Sequence, residues 1–449
     1  MDYQLLLAVL LGIGLLLFLI LKLKLQAFLA LLIVCIIVGM MAGMPAGEIL
    51  ETMRVGMGST LGFVATVVGL GALFGGILEQ SGGARRLASY MMEKTGEKKA
   101  SWAMMVTGFI VAIPVFFDVA FIILVPVTYA LSKRTGKSLL LYAIPLLAGL
   151  AVTHSFIPPT PGPIAVADIL GADLGWVIIF GFIAGLPAAI IAGPLFAKFL
   201  AKKINIKPID VFEDEDDIDV KMAPSPGLII SIILTPIFLI VANTLLTSPL
   251  FDGVELDYML IYFIELTGHP FTALIIANLI AWYFLGVKRG MQKEYLLQVA
   301  TKSFMAAGII ILLTGAGGAF KQILINTGAG EMIAAALNES IFNPLAFGFI
   351  VAALVRVLQG SATVAMITAA GITAPVLTAG MFSVPQVSLI VIAIASGATI
   401  ISHVNDSGFW LVGQYLGLSV KQTFQSWTVM TTIIALVGFS MSMLLWLFF

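Results

Sequence analysis

The sequence predicts an all-α polytopic membrane protein made of two inverted-topology repeats. Each repeat should hold about five transmembrane helices and one re-entrant hairpin, with broken helices at the midplane. Composition, the placement of basic residues and an internal repeat carry this prediction. Of 449 residues, 60% are hydrophobic and 10% charged, where soluble domains carry about 25% charged residues. Mean hydropathy is +1.10. The 23 basic and 24 acidic residues offer no net positive surface to a nucleic acid. A single cysteine, Cys35, excludes an internal disulfide framework and thiolate metal clusters, and neither a cofactor nor a metal site is expected. At about 20 residues per span, roughly ten to twelve crossings fit. The 44 glycines and 19 prolines within apolar stretches require broken or closely packed helices.

Twelve apolar runs follow in order. The chain starts Met1-Asp2-Tyr3-Gln4 without a basic segment, so run 5–21 reads as a membrane helix rather than a cleavable signal. Further runs cover 26–43, 61–79, 102–131, 139–157, 174–198, 227–247, 270–287, 303–325, 343–380, 388–418 and 424–449. Basic residues gather at Lys22/Lys24, Arg85–Lys99, Lys133/Arg134/Lys137, Lys198–Lys207 and Lys288/Arg289/Lys293, and cytoplasmic loops should hold them. Run 102–131 is flanked by basic clusters on both sides. A hairpin that begins and ends at the cytoplasm keeps both clusters inside, with Pro114 and Asp118 near its tip; a kinked single span is the alternative.

The second half repeats the first at a shift of 243–247 residues. Phe28-Leu-Ala-Leu-Leu-Ile matches Phe271-Thr-Ala-Leu-Ile-Ile, and Gly71-Ala-Leu-Phe-Gly-Gly-Ile-Leu-Glu-Gln-Ser-Gly matches Gly317-Gly-Ala-Phe-Lys-Gln-Ile-Leu-Ile-Asn-Thr-Gly. Ala151-Val-Thr-His-Ser lies against Ala398-Thr-Ile-Ile-Ser. An odd number of crossings per half inverts the second half, so hairpin 343–380 should enter from outside. This divides the chain into a first repeat (1–205), a linker (206–226) and a second repeat (227–449). The acidic stretch Glu213–Asp219 and Pro224 read as a solvated cytoplasmic linker, the alternative being a cation-binding loop. Inverted repeats with broken helices are the architecture of secondary transporters.

Four segments interrupt the apolar pattern at equivalent places: Pro114-Val-Phe-Phe-Asp118, Thr153-His-Ser-Phe-Ile-Pro-Pro-Thr-Pro-Gly-Pro163, Gln359-Gly-Ser-Ala-Thr363 and Ser402-His-Val-Asn-Asp-Ser-Gly408. Successive prolines cannot continue a helix. Half-helix N-termini around one midplane point would present unpaired N–H groups to an anion. Ser155, Thr160, Ser361, Thr363, Ser402, Asn405 and Ser407 can exchange hydrogen bonds with hydroxyls, and Gly162 and Gly360 belong to the same candidate set. The combination favours a small polyhydroxylated carboxylate.

The strings H-S-F-I-P-P-T-P-G-P, V-F-F-D-V-A-F, Q-G-S-A-T-V-A-M and S-H-V-N-D-S-G-F-W resemble the gluconate permease family of bacterial proton symporters, within the ion-transporter superfamily. The resemblance runs along essentially the whole chain. It implies gluconate or a related sugar acid as substrate, a place in the bacterial inner membrane, protons as co-substrate and elevator-type movement. Some relatives carry D-serine instead. A homodimer is expected by analogy alone.

Ionisable residues inside membrane helices are functional candidates by default. Asp118 is either the proton carrier or the partner of Arg356 or another donor. Asp406 is the rival carrier or the cap of a half-helix. His154 and His403 flank the breaks as a proton relay or as satisfied buried histidines. Arg356 either clamps the substrate carboxylate, neutralises a buried acid or snorkels. Lys321 reads as snorkelling. A Ser361–His403 hydrolase would ignore the repeat and the first hairpin, so no enzyme is expected; a channel and a sodium-coupled carrier are the rival transport classes.

Overall fold

A computed structural model describes residues 3–207, 224–247, 257–328, 343–379, 382–404 and 406–449. The acidic run Glu213–Asp219 and the candidate Asn405 lie outside the described residues. The described chain is helical without strands. Seven of its helices are long and apolar enough to cross a membrane.

In the first half, α1 (Tyr3–Leu21) and α2 (Ala27–Met41) pack together and precede the long α3 (Ala46–Gln80). Next come α4 (Gly83–Thr95), α5 (Ala100–Val111), α6 (Phe117–Thr135), α7 (Leu140–Phe156) and α8 (Pro161–Leu170). Finally α9 (Leu174–Ile190) continues through a π turn into α10 (Phe196–Lys203). The second half begins with α11 (Pro226–Leu246), α12 (Tyr258–Gly268), α13 (Pro270–Ala281) and the long α14 (Lys293–Asn326). It goes on through α15 (Pro344–Gln359), α16 (Ala362–Ala379), α17 (Val384–Thr399) and α18 (Ser407–Tyr415). It ends with α19 (Val420–Thr423), a π turn and α20 (Val429–Trp446).

Several elements depart from the apolar runs. Helix α3 starts fifteen residues before run 61–79, because Glu48, Glu51 and Arg54 occupy its exposed first turns; Arg54 pairs with Glu51 at 2.5 Å. Helix α14 likewise starts at Lys293, ahead of run 303–325. Helices α4, α8, α12 and α19 lie in no predicted run; Asp257 caps α12 by accepting from the Met259 and Leu260 amides.

Helices α3 and α14, of 35 and 34 residues, lie along each other. Small residues allow the approach: a Cβ on Gly56 would meet the Gly318 carbonyl oxygen at 2.6 Å, and one on Gly318 would meet the Gly56 carbonyl oxygen at 2.6 Å. Asn278 of α13 ties this pair to its neighbour by donating to the Leu70 carbonyl at 3.0 Å. On the other side, α5 packs on α7 and α15 on α17, while α8 meets α16. Gly108 and Gly149 put the α5 and α7 backbones in contact, with a Cβ on Gly149 only 2.2 Å from the Met105 carbonyl oxygen.

Each predicted interruption is a break between two helices. Residues 112–116 separate α5 from α6, 157–160 separate α7 from α8, 360–361 separate α15 from α16 and 400–406 separate α17 from α18. Helix α3 supports both breaks of the first half from one face: Gly75 sits under the Pro114 carbonyl and Gly71 under that of Pro159, where Cβ atoms would lie 2.0 and 3.1 Å away. Gly360 ends α15 at φ +93°, a left-handed backbone that glycine adopts without a Cβ penalty.

Candidate functional site

The four breaks surround one cavity of about 600 Å³, within the usual range of roughly 300–1,000 Å³ for small-molecule sites. Phe116, Phe117 and Asp118 line it from the first break, and His154, Ser155 and Pro161 from the second. Arg356, Gln359, Gly360, Ser361 and Thr363 face it from the third, and Asp406 and Ser407 from the fourth.

Its charge is arranged around Arg356 and Asp406. Arg356 Nη2 reaches Asp406 Oδ2 at 2.5 Å, and the side chains are only 4% and 12% exposed. Asp406 also caps α18 by accepting from the Gly408 amide at 3.1 Å, so its pairing and its capping use different oxygens. Ser402 donates to Asp406 Oδ2 and accepts from the indole of Trp427 at 2.6 Å. Arg356 Nε and Nη1 have no hydrogen-bond partner among the described residues. A buried guanidinium with two unused nitrogens on a cavity wall is suited to an anion. Asp118, in the first turn of α6, makes no hydrogen bond or ion pair with described residues and is near enough to Asp406 for the carboxylates to repel.

The chain at Ser402 is held by the start of the last helix. Thr428 donates to the Ser402 carbonyl at 2.5 Å, and the Ser402 amide donates to Thr431 Oγ1 at 3.3 Å. These bonds replace those that a continuous helix would make. Ile401 there has φ +43°, costly for a β-branched residue. In the third break, Gln359 Oε1 accepts from the Ser361 amide at 2.8 Å, leaving the Ser361 hydroxyl beside the cavity.

Of the remaining sequence-selected residues, Thr160, Gly162, Ser402 and His403 stand behind the wall. Thr160 donates to the Ile157 carbonyl at 2.7 Å. Gly162 packs against Met366, whose sulfur lies 2.7 Å from a built Cβ. Ser402 touches Asp406, and His403 Nε2 lies 2.9 Å from the Val357 carbonyl oxygen. His154 lines the cavity beside the Phe117 ring, its buried Nδ1 without a partner among the described residues. Lys321, expected to snorkel, is half-buried and lies near enough to Asp168 of α8 for their charges to attract, without closing an ion pair. Trp427, Thr431, Ala306 and Ile310 also line the cavity but are invisible to a search for interrupted segments, since they sit outside the four interruptions.

A charged polar cavity bounded by broken helices, inside an apolar helical bundle, is the arrangement by which a multi-pass membrane permease would keep a small polar solute away from lipid. Residues 4–448 match the profile of the GntP family permeases, and the chain belongs to that family, one of transport proteins rather than enzymes. It is 38% identical over 405 residues to a gluconate permease of Pseudomonas aeruginosa, covering 89% of this chain and 88% of that one. It is 39% identical over 395 residues to the low-affinity gluconate transporter of Escherichia coli K12, covering 88% and 87%. The L-idonate transporter of the Gnt-II system in the same organism is 36% identical over 394 residues, covering 88% of each chain. In fold, the chain is similar to the YdaH transporter of Alcanivorax borkumensis, with a TM-score of 0.65 at 16% identity over 90% of this chain and 89% of that one. MtrF of Neisseria gonorrhoeae gives a TM-score of 0.63 at 16% identity over 88% and 84%.

Proposed function

We propose that this protein is a secondary transporter that carries gluconate or a related sugar acid, with a proton, across the bacterial inner membrane by an elevator-type movement. One observation carries the reading: the cavity combines a guanidinium with two unused nitrogens and the carboxylate of Asp118, neither partnered there among the described residues. The first suits an anionic substrate, the second a proton. The names of the relatives at 36–39% identity supply the substrate class. Arg356 holds the substrate carboxylate, while Ser155, Ser361, Thr363 and Ser407 exchange hydrogen bonds with its hydroxyls.

The proposed scaffold is the pair of inverted repeats, 1–205 and 227–449, joined by 206–226. Support comes from the matching order of breaks and from helix length. Helix α5 has 12 residues and rises about 18 Å at 1.5 Å per residue, short of a hydrocarbon core of about 30 Å. A re-entrant α5–α6 hairpin accommodates that length, and α15–α16 is its counterpart. A D-serine or other small carboxylate carrier, or sodium coupling, is the competing reading: its carboxylate would meet the same Arg356.

Uptake into proteoliposomes tests all of these together. Gluconate, L-idonate and D-serine are offered under an imposed pH gradient and, separately, an imposed sodium gradient. Accumulation of a sugar acid that follows the pH gradient is expected. Accumulation that follows sodium and ignores pH would overturn proton coupling, and transport of D-serine alone would overturn the substrate assignment.

A further inference from the structure

A second cavity, of about 220 Å³, lies where the end of α3 meets the start of α14 and the α5–α6 break. At about 30 Å³ per water, it has room for roughly seven. Its polar lining is Glu79, Gln80, Tyr295, Gln298, Lys302 and Ser303. Tyr295 donates to Gln80 at 2.5 Å, which fastens α14 to α3 at the mouth. Lys302 is exposed and forms no ion pair or hydrogen bond with described residues, although Glu79 lines the same space.

The two cavities share three wall residues, Phe116, Val119 and Ala306. The partition between them is therefore one side chain thick. It is built largely from the first break, whose backbone rests on Gly75 of α3. In sequence, its lining residues on α3 and α14 adjoin Arg85 and Arg86 on one side and Lys288, Arg289 and Lys293 on the other, basic clusters that should face the cytoplasm.

We propose that this second cavity is a waypoint for the transported anion: a hydroxy-carboxylate leaving the central cavity passes Phe116 and pauses against Lys302 before release at the basic end. Gln80, Gln298 and Ser303 exchange hydrogen bonds with its hydroxyls. The proposal rests on the anionic substrate class assigned above.

Its test has an arm that needs no substrate. Gln298→Cys is made in a Cys35→Ala background, and the thiol is treated from the basic side with an anionic and a cationic methanethiosulfonate reagent. Lys302 should favour the anionic reagent, and adding Lys302→Gln should lower the anionic-to-cationic rate ratio at least threefold. An unchanged ratio, or no labelling from that side, would overturn the site. In the second arm, Lys302→Gln alone should slow net gluconate uptake at least threefold while equilibrium gluconate binding by the purified protein stays within twofold. Unchanged uptake would overturn the waypoint. A wild-type protein that transports no sugar acid would instead defeat the substrate assignment, while the labelling arm still decides whether Lys302 attracts anions there.

Discussion

Arg356, in the last turn of α15, is bonded at 2.5 Å to Asp406, the residue that caps α18. The third break is thus clamped to the fourth by one ion pair inside the cavity. Breaking it from either side has different consequences. Asp406→Asn leaves the guanidinium buried without its counter-charge, while the amide oxygen can still cap α18. A bond to a charged group is worth about 1.5–3 kcal/mol, so a lower melting temperature in detergent is expected. Arg356→Gln removes the guanidinium proposed to hold the substrate carboxylate, and the same energy corresponds to a loss of roughly 10- to 150-fold in substrate affinity. Wild-type affinity in Arg356→Gln, measured by calorimetry, would remove Arg356 from the binding wall.

Asp118→Asn tests coupling. The amide keeps the shape of the carboxylate but neither binds nor releases a proton. An inside-negative membrane opposes an anion by about 2.3 kcal/mol per 100 mV for each charge, and one co-transported proton cancels that charge. Accumulation driven by pH should vanish in the variant, while exchange of internal for external gluconate survives. Intact pH-driven accumulation would pass the role to Asp406 or His154.

Two hydroxyls separate wall from support. Ser361 borders the cavity, whereas Thr160 spends its proton on the Ile157 carbonyl. Ser361→Ala should raise KM by roughly 2- to 13-fold, the equivalent of about 0.5–1.5 kcal/mol for one hydrogen bond. Thr160→Ala should leave KM within twofold. Equal effects of the two substitutions on initial uptake rates would show that the wall is drawn in the wrong place.

The hairpin is checked by sidedness. Lys98 and Lys137 are exposed on either side of the α5–α6 pair. With Lys98→Cys and Lys137→Cys, each in a Cys35→Ala background, both thiols should resist an impermeant reagent applied outside intact cells. Labelling of one alone means that the pair crosses the membrane.

Gly75→Ala probes the support beneath the first break. Its Cβ would fall 2.0 Å from the Pro114 carbonyl oxygen, and backbone cannot yield as a side chain tip does. Overpacking of this kind costs about 1–3 kcal/mol. A lower melting temperature with a raised KM is expected; a change in neither would mean that the break does not rest on α3.

All four breaks are legible in the sequence because Pro114, the Pro158–Pro163 run, Gly360 and the Ser402–Gly408 string each interrupt an otherwise apolar stretch. The start of α3 is not, since Glu48, Glu51 and Arg54 look like a loop until their ion pair and exposure are known. Sequence alone leaves Asp406 as carrier or cap without its bond to Arg356, because fifty residues of separation hide a 2.5 Å contact. Asp168 stays hidden for the same reason: the charge it lies near, Lys321, comes from a distant helix. Which hydroxyls face the cavity depends on helix rotation at each break, and periodicity does not record that.

Trp427 touches both halves of the site: its indole donates to Ser402, and its ring lies 5.4 Å from that of Phe117. It is 4% exposed, beside the carboxylates of Asp118 and Asp406 on the cavity wall. A fluorophore at that position feels any change in the local field. The molecule thus carries an intrinsic dye at its centre, and with the other five tryptophans replaced by phenylalanine its emission colour gives an optical record of loading, free of any attached label.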